Sequence, residues 1–362
     1  MRLILIFTFL HFICLSQIND SLLYQLQQIE NDTEKVNQLY QKGFDLRNTD
    51  PESSYQFALA AEQSALKINS PKHLAKSYNL IGILFYKKGD FAKALRFQKE
   101  ALALNQYIHN ETGIAINQTN LGNIYNDIKY VALAEQSYLQ ALQAYNKTNN
   151  TVQMARCLLN IGVLKYTQKQ SSAAIKQFEQ ALLYANEIGD QNLVASCYNN
   201  IGTILREQNK PDSALMYLEE ALKIRQQTDN ELELADSYNN IANVYISLKS
   251  FNQASNFILL AEDICTKYGY QEALLELYHT RSLFYEAQDD FKQANNWLKK
   301  HYALKDSLLV MEKDNQEFDF QNDSDQILQV IKVQKHESNN WLLISLLVML
   351  VGLPLFLIRY KR

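Results

Sequence analysis

The sequence predicts an all-α protein built from tandem helical hairpins, and three observations lead to this prediction. Only 10 of the 362 residues are glycine and 4 are proline, and helix-favouring residues such as leucine, alanine and glutamine dominate. A small residue recurs every 40 positions without an insertion, at Gly82, Gly122, Gly162, Gly202, Ala242 and Ser282. Turn signals such as Gly89-Asp90 and Asn149-Asn150 separate the segments. A period of this length indicates stacked units that share one core.

Two alanine positions define the second helix of each predicted hairpin. The first lies 12 residues after the small residue, at Ala94, Ala134, Ala174, Ala214, Ala254 and Ala294. The second follows seven residues later, at Ala101, Ala141, Ala181, Ala221 and Ala261. Two antiparallel helices approach closely only where a small side chain faces the neighbour, and aromatic residues such as Phe85 and Tyr125 fill the remaining gaps. The sixth unit departs from the pattern at Arg281 and His301.

This pattern of small residue, aromatic residue and two alanines resembles the tetratricopeptide repeat over residues 75–313. The resemblance implies a right-handed α-solenoid of six 40-residue units, with residues 17–74 forming N-terminal capping helices that contain a degenerate repeat. The period of 40 is longer than the usual period of about 34. The proline common near the end of the family's unit is also missing. Both departures are similar to longer-repeat members such as kinesin light chain.

In tetratricopeptide proteins the first helix of each unit lines a concave groove, and the resemblance carries this role to matching positions here. Asparagines recur on that stripe, which we name the amide ladder: Asn120, Asn123, Asn160, Asn200, Asn240 and Asn243, with Thr203 beside them. Their amides could pair with the backbone of an extended peptide. Alternatively, they bond neighbouring repeats or are solvated. Lys76, Lys87 and Arg156 lie on the same stripe towards the N-terminal end, whereas Glu207, Asp236 and Glu276 lie towards the C-terminal end.

Two apolar segments predict a location at a cell membrane. Residues 1–16 have the pattern of a signal peptide cleaved before Gln17, with an uncleaved anchor as the alternative. Residues 340–358 form an uncharged stretch long enough for a transmembrane helix, and the basic tail 359–362 places the C-terminus in the cytoplasm. The repeats would then be extracytoplasmic, on the periplasmic side, with the lipid bilayer as a partner. The segment 314–339 is expected to be a juxtamembrane helix, able to form a homodimer, or a flexible stalk.

Charge and chemistry exclude several classes of function. The formal net charge of -4 leaves no basic surface for nucleic acid. No HExxH, GxSxG or phosphate-binding glycine loop occurs, and the histidines are scattered. Cys157, Cys197 and Cys265 are expected to be buried apolar residues rather than disulfide partners. We therefore expect neither an enzyme nor a cofactor or metal site.

The predicted function is a membrane-anchored extracytoplasmic domain that binds a protein or an extended peptide in its groove. The leader, the repeats and the apolar segment together resemble the sensor half of bacterial membrane signalling proteins with external tetratricopeptide domains, which implies a sensing role. The alternative is a membrane-tethered scaffold for the assembly of envelope protein complexes. The sequence does not separate these two functions, and it does not identify the ligand.

Overall fold

The computed structural model describes residues 23–26, 30, 32–228 and 230–317, with no side-chain description for residues 309–317. The chain divides into two compact units, residues 1–308 and 309–362. In the second unit only residues 309–317 are described, and they are helical. The other described residues belong to the first unit.

Helices account for the secondary structure of the described residues, which contain no strand. The helices longer than one turn are, in chain order, α1 (Thr33–Leu46), α2 (Pro51–Lys67), α3 (Pro71–Lys87), α4 (Phe91–Tyr107), α5 (Glu111–Asp127), α6 (Val131–Lys147), α7 (Thr151–Thr167), α8 (Ser171–Ile188), α9 (Gln191–Glu207), α10 (Pro211–Arg225), α11 (Glu231–Ser247), α12 (Phe251–Tyr268), α13 (Gln271–Glu286) and α14 (Phe291–Glu317). From α3 onward each odd-numbered helix begins 40 residues after the previous one. The prediction of an all-helical array with a 40-residue period is therefore confirmed over these residues.

The helices pack as consecutive hairpins. Each odd-numbered helix from α1 to α11 lies against the even-numbered helix that follows it, and each even-numbered helix then contacts the first helix of the next unit. First helices of adjacent units also touch, as α3 touches α5 and α9 touches α11. The core is accordingly continuous along the stack, as expected for a solenoid.

Polar N-caps fix where many of the helices begin. In eight of them an aspartate or asparagine side chain accepts a hydrogen bond from the backbone N–H three residues later: Asp32, Asp50, Asp90, Asn110, Asn150, Asp190, Asn230 and Asp290. Such a cap stabilises a helix by about 1 kcal/mol. The residue before the cap often has a left-handed backbone, as at Gly89 with φ of 80° and Gly189 with φ of 73°. These positions end one helix and turn the chain into the next.

The recurring glycines allow the two helices of a unit to touch. A Cβ atom on Gly122 would lie 2.5 Å from Cε1 of Tyr138, and one on Gly162 would lie 2.5 Å from Cε1 of Phe178. No real Cβ atom tolerates such a distance. The predicted packing role of these small residues is therefore confirmed.

The departures of the sixth unit have a structural reason. Arg281 forms an ion pair with Glu262, and its guanidinium carbon lies 4.6 Å from the ring centroid of Trp297. Nδ1 of His301 lies 3.0 Å from the carbonyl oxygen of Leu275. Polar contacts thus replace the apolar contact that an isoleucine or leucine makes at the Arg281 position of the other units.

The three cysteines of the repeats are buried and unpaired: Cys157, Cys197 and Cys265. Burial raises the pKa of Cys157 and Cys197 to about 12 and that of Cys265 to about 11. At neutral pH these thiols are protonated and behave as small apolar groups, as predicted.

The predicted localisation is corrected by the described helices. No helix among residues 32–228 and 230–317 is both long and apolar enough to cross a membrane. This finding contradicts the prediction of a cell-membrane protein with periplasmic repeats and a cytoplasmic C-terminus. The segments 1–16, 340–358 and 359–362, and most of 314–339, lie outside the described residues.

Candidate peptide-binding groove

The predicted binding residues lie on one side of the first helices, which we name the first-helix face. The asparagines of the amide ladder and Thr203 are half-buried there, as is Lys76, whereas Lys87 and Arg156 are exposed. A recess of about 10 Å³ opens between α3 and α5, with Ile83, Tyr86 and Asn120 among its lining residues. This volume is about that of one water molecule. The face is therefore a polar surface with small depressions and not a deep pocket.

Most members of the amide ladder bridge neighbouring units. Nδ2 of Asn120 donates to Oδ1 of Asn79 at 2.8 Å, and Nδ2 of Asn240 donates to Oδ1 of Asn199 at 2.9 Å. Two further bridges, from Asn160 to Oδ1 of Asn123 at 3.4 Å and from Asn243 to Oγ1 of Thr280 at 3.1 Å, join the next pairs of units. The amides thus hold adjacent units together.

The bridging leaves acceptor groups open on the same face. Asn120, Asn160 and Asn240 use their nitrogen atoms as donors, and within the described part of the chain their Oδ1 atoms accept no hydrogen bond. Oδ1 of Asn123 is different, because it also accepts from the Tyr138 hydroxyl at 2.7 Å. Oδ1 of Asn243, in the same unit as Asn240, also accepts no hydrogen bond from a described residue. In these three units at least one ladder oxygen therefore lacks a donor among the described residues.

Asn200 is the one ladder asparagine without a cross-unit bond among the described residues. Its Nδ2 donates to the carbonyl of Ser196 in its own helix at 2.8 Å, and Thr203 likewise donates to the carbonyl of Asn199 at 2.9 Å. The reason lies in the preceding unit, where Leu159 and Val163 stand at the repeat positions of Asn79 and Asn123, the acceptors that Asn120 and Asn160 use. The amide ladder is interrupted between α7 and α9 by a short apolar step.

The predicted basic residues differ in how well they are compensated. Arg156 is paired with Asp190 at 3.1 Å. Nζ of Lys76 lies 5.5 Å from the ring centroid of Tyr40, and Lys87 donates to Oδ1 of Asn48. Burial lowers the pKa of Lys76, and the charge of Lys72 lowers it further. Lys76 and Lys87 therefore keep an uncompensated positive charge, whereas Arg156 does not.

Comparison with protein families identifies the repeat. Models described as tetratricopeptide repeat match residues 74–109, residues 113–183 and 173–227, and residues 235–268. The chain belongs to the tetratricopeptide-repeat family. The family that the pattern of small, aromatic and alanine residues resembles is thus confirmed. A search of curated proteins finds no match to this tetratricopeptide-repeat chain.

Several solved structures share the fold. The apo form of RapI has 13% sequence identity and a TM-score of 0.64, over 76% of this chain and 99% of that one. NprR in complex with its cognate peptide NprX has 18% identity and a TM-score of 0.56, over 89% of this chain and 93% of that one. The Rap conjugation gene regulator of the plasmid pLS20, in complex with the Phr* peptide, has 15% identity and a TM-score of 0.52, over 76% and 96%. At these identities the likeness concerns the fold alone.

Sequence reasoning missed a buried amide network behind the face of this tetratricopeptide-repeat protein. Nδ2 of Asn105 donates to Oδ1 of Asn117 at 2.8 Å, and Nδ2 of Asn117 donates to Oε1 of Gln98 at 2.8 Å. Gln98 is completely buried, and Asn117 is 1% exposed. In most other tetratricopeptide units the same positions hold apolar residues, so the signal was a polar residue at a core position. The network connects Asn79 and Asn120 on the face to the interior of α4 and α5.

Tyrosine–carboxylate bonds are a second feature that sequence reasoning missed. The Tyr86 hydroxyl donates to Oδ2 of Asp127 at 2.6 Å, and the Tyr166 hydroxyl donates to Oε1 of Glu207 at 2.5 Å. Burial and the bond to Glu207 raise the pKa of Tyr166 to about 12. Each bond joins successive tetratricopeptide units. Glu207, which the sequence placed at the acidic end of the groove, is therefore already engaged.

Proposed function

We propose that this chain is a peptide-binding tetratricopeptide-repeat module whose ligand lies extended along the first-helix face, and that it acts as a sensing component. One observation carries the proposal: open amide oxygens recur on this face at the repeat spacing, and at Asn200 the whole amide is free of cross-unit bonds. The chemistry suits a peptide backbone, which presents both N–H donors and C=O acceptors along its length.

The spacing of the units fits an extended chain. Packed helices lie roughly 8–10 Å apart, and an extended peptide advances about 3.3 Å per residue. A peptide laid across the stack therefore meets one ladder amide at about every third residue. Each backbone hydrogen bond contributes about 1 kcal/mol. Four such contacts, together with side-chain burial, suffice for micromolar binding, which corresponds to about 8 kcal/mol.

Two of the similar solved structures support this reading. NprR and the Rap conjugation gene regulator are each described as a complex with a peptide, so this arrangement of repeats accommodates peptide ligands in other proteins. One of these proteins is described as a regulator, which supports a sensing role. The proposal for the present chain rests on its own amides and takes from those proteins only that the fold is suited to peptides.

Asn200 provides a sharp test because its loss should not weaken the stack. A library of random 15-residue peptides is selected against the full chain, and synthetic copies of the enriched peptides are measured by fluorescence anisotropy. We expect Asn200→Ala to weaken binding about tenfold, equivalent to 1.4 kcal/mol. Asn256→Ala is the matched control, because Asn256 is exposed on the second helix α12.

The outcomes separate clearly. Enriched peptides that bind the Asn200→Ala variant as tightly as the native chain would place the binding site elsewhere. A selection that enriches no peptide would remove the proposed function. Asn160 and Asn240 are less suitable positions, because each bridges two units and its loss alters stability as well as binding.

A further inference from the structure

Uncompensated positive charge gathers at the N-terminal end of the first-helix face. Lys72 and Lys76 lie near the start of α3, and Lys87 lies at its end, next to Arg47. None of these four cations forms an ion pair with a carboxylate among the described residues. Burial lowers the pKa of Lys87, and the charge of Arg47 lowers it further. Lys72 and Lys76 therefore repel each other near the start of α3, and Arg47 and Lys87 repel each other at its end.

The opposite charge gathers at the C-terminal end. Asp236 and Glu276 occupy, in the fifth and sixth units, the repeat position that Lys76 occupies in the first. Asp236 is exposed, although the surrounding protein partly desolvates its carboxyl group. This desolvation raises the pKa of Asp236, Arg225 lowers it, and Glu233 and Glu276 raise it again. Neither Asp236 nor Glu276 forms an ion pair within the described part of the chain.

Between the two ends the charged side chains of the face are engaged in contacts within the protein. Arg156 is paired with Asp190 at 3.1 Å. Asp127 and Glu207 each accept a hydrogen bond from a tyrosine hydroxyl, and Glu207 also lies 3.9 Å from Arg206. Leu159 and Val163 form the apolar step in the middle. The face therefore presents a positive end, a partly apolar middle whose charged groups are engaged within the protein, and a negative end.

We infer that the ligand is an extended peptide with acidic side chains at one end, which meet the first unit, and basic side chains at the other, which meet the fifth and sixth units. This inference rests on the proposed peptide-binding function. Such a ligand relieves the repulsion at both ends, and electrostatic complementarity of this kind fixes orientation and speeds association. Four unit spacings of roughly 10 Å separate Lys76 from Asp236, so an extended ligand needs about 12 residues to contact both.

Designed peptides test the inference directly. The probes are three labelled 14-residue peptides with the same apolar and small central residues. One has Glu-Glu at the N-terminus and Lys-Lys at the C-terminus, the second has these pairs exchanged, and the third has glutamine at all four positions. Binding to the full chain is measured by anisotropy at 50 mM and 300 mM salt. We expect one charged order to bind at least tenfold more tightly than the other two peptides, with the advantage falling at high salt.

A charge-exchanged variant tests which residues are responsible. In Lys76→Glu/Asp236→Lys the advantage of the preferred order of the peptide charges should fall severalfold, because only Lys72, Lys87, Arg47 and Glu276 keep their native charges. The matched control is Lys176→Glu/Glu219→Lys, since both of these residues are exposed on second helices. The control should keep the native preference. Circular dichroism of both variants checks that helicity is retained.

The outcomes distinguish this inference from the proposed function. The charge inference is overturned if all three peptides bind equally, or if the charge-exchanged variant keeps the full native preference. The proposed function survives either result as long as binding depends on Asn200. If none of the designed peptides binds, the library-selected peptides decide: opposite charges at their two ends support the inference, and their absence overturns it. A library that yields no ligand removes both.

Discussion

Glu62 provides the most quantitative prediction, because its carboxyl group occupies a core position. In α2 it stands where the next four units carry Leu102, Leu142, Leu182 and Leu222, and the fifth carries Glu262. Its side chain is 2% exposed, and its Oε1 atom has no hydrogen-bond partner among the described residues. Burial and the nearby Glu100 raise the pKa of Glu62 and Arg96 lowers it, with a net pKa of about 7.

The pKa shift fixes both the sign and the size of the effect. Because the folded protein holds the proton more tightly than the unfolded chain, the free energy of unfolding falls as the pH rises from about 4.5 to about 7. One pKa unit corresponds to 1.36 kcal/mol, so ionisation of Glu62 costs about 3 kcal/mol at pH 8. Replacement by glutamine removes this cost, because an amide does not ionise.

Urea unfolding at pH 5 and pH 8, followed by circular dichroism, measures the effect. The native chain should lose about 3 kcal/mol more stability between these pH values than Glu62→Gln loses. Other titrating groups are common to both proteins and cancel in the difference. Glu219→Gln, at an exposed position, is the control and should follow the native chain. Identical pH dependence of the native chain and Glu62→Gln would refute the assignment of a buried, protonatable Glu62.

Three further predictions concern packing, charge and thiol chemistry. Gly162→Ala should destabilise the protein by about 1–3 kcal/mol in urea unfolding, and adding Phe178→Ile should restore much of the loss by making room for the new methyl group. Arg281→Leu should cost about 2 kcal/mol by leaving Glu262 partly buried without its partner, whereas pairing it with Glu262→Leu should be nearly neutral. In a Cys14→Ser chain the three buried cysteines should react with a thiol reagent at pH 8 only at the rate of unfolding, and rapid labelling of that folded chain would contradict their raised pKa.

The fold was predictable because its main signal is periodic. The repeat positions of Gly122 and Gly162 alone predicted close helix contacts. The structure shows that aromatic rings pack against these glycines. The partners of the amide ladder were not predictable in the same way, since a bond such as Asn120–Asn79 depends on the distance between two units and not on the sequence of either. It was likewise not predictable from sequence that Leu159 interrupts the amide ladder and leaves Asn200 without a cross-unit bond.

The predictions missed the polar core and were wrong about the localisation, for different physical reasons. Gln98 and Asn117 lie at positions that are apolar in most other units, so a consensus treats them as exceptions and hides their mutual bond. The localisation rested on apolar segments at the two ends of the chain. The helices between them are amphipathic and pack against one another, and none of those described can cross a membrane.

The contacts of the described helices extend mainly to the partner in the same unit and to the adjacent unit. Stability in such an array is close to a sum over junctions, so the protein can open at one end while the rest stays folded. Amide hydrogens in the central units should then exchange with solvent more slowly than those near α1. A ligand that contacts several junctions at once would make them open together. Ligand binding would then increase the cooperativity of unfolding even where no helix moves.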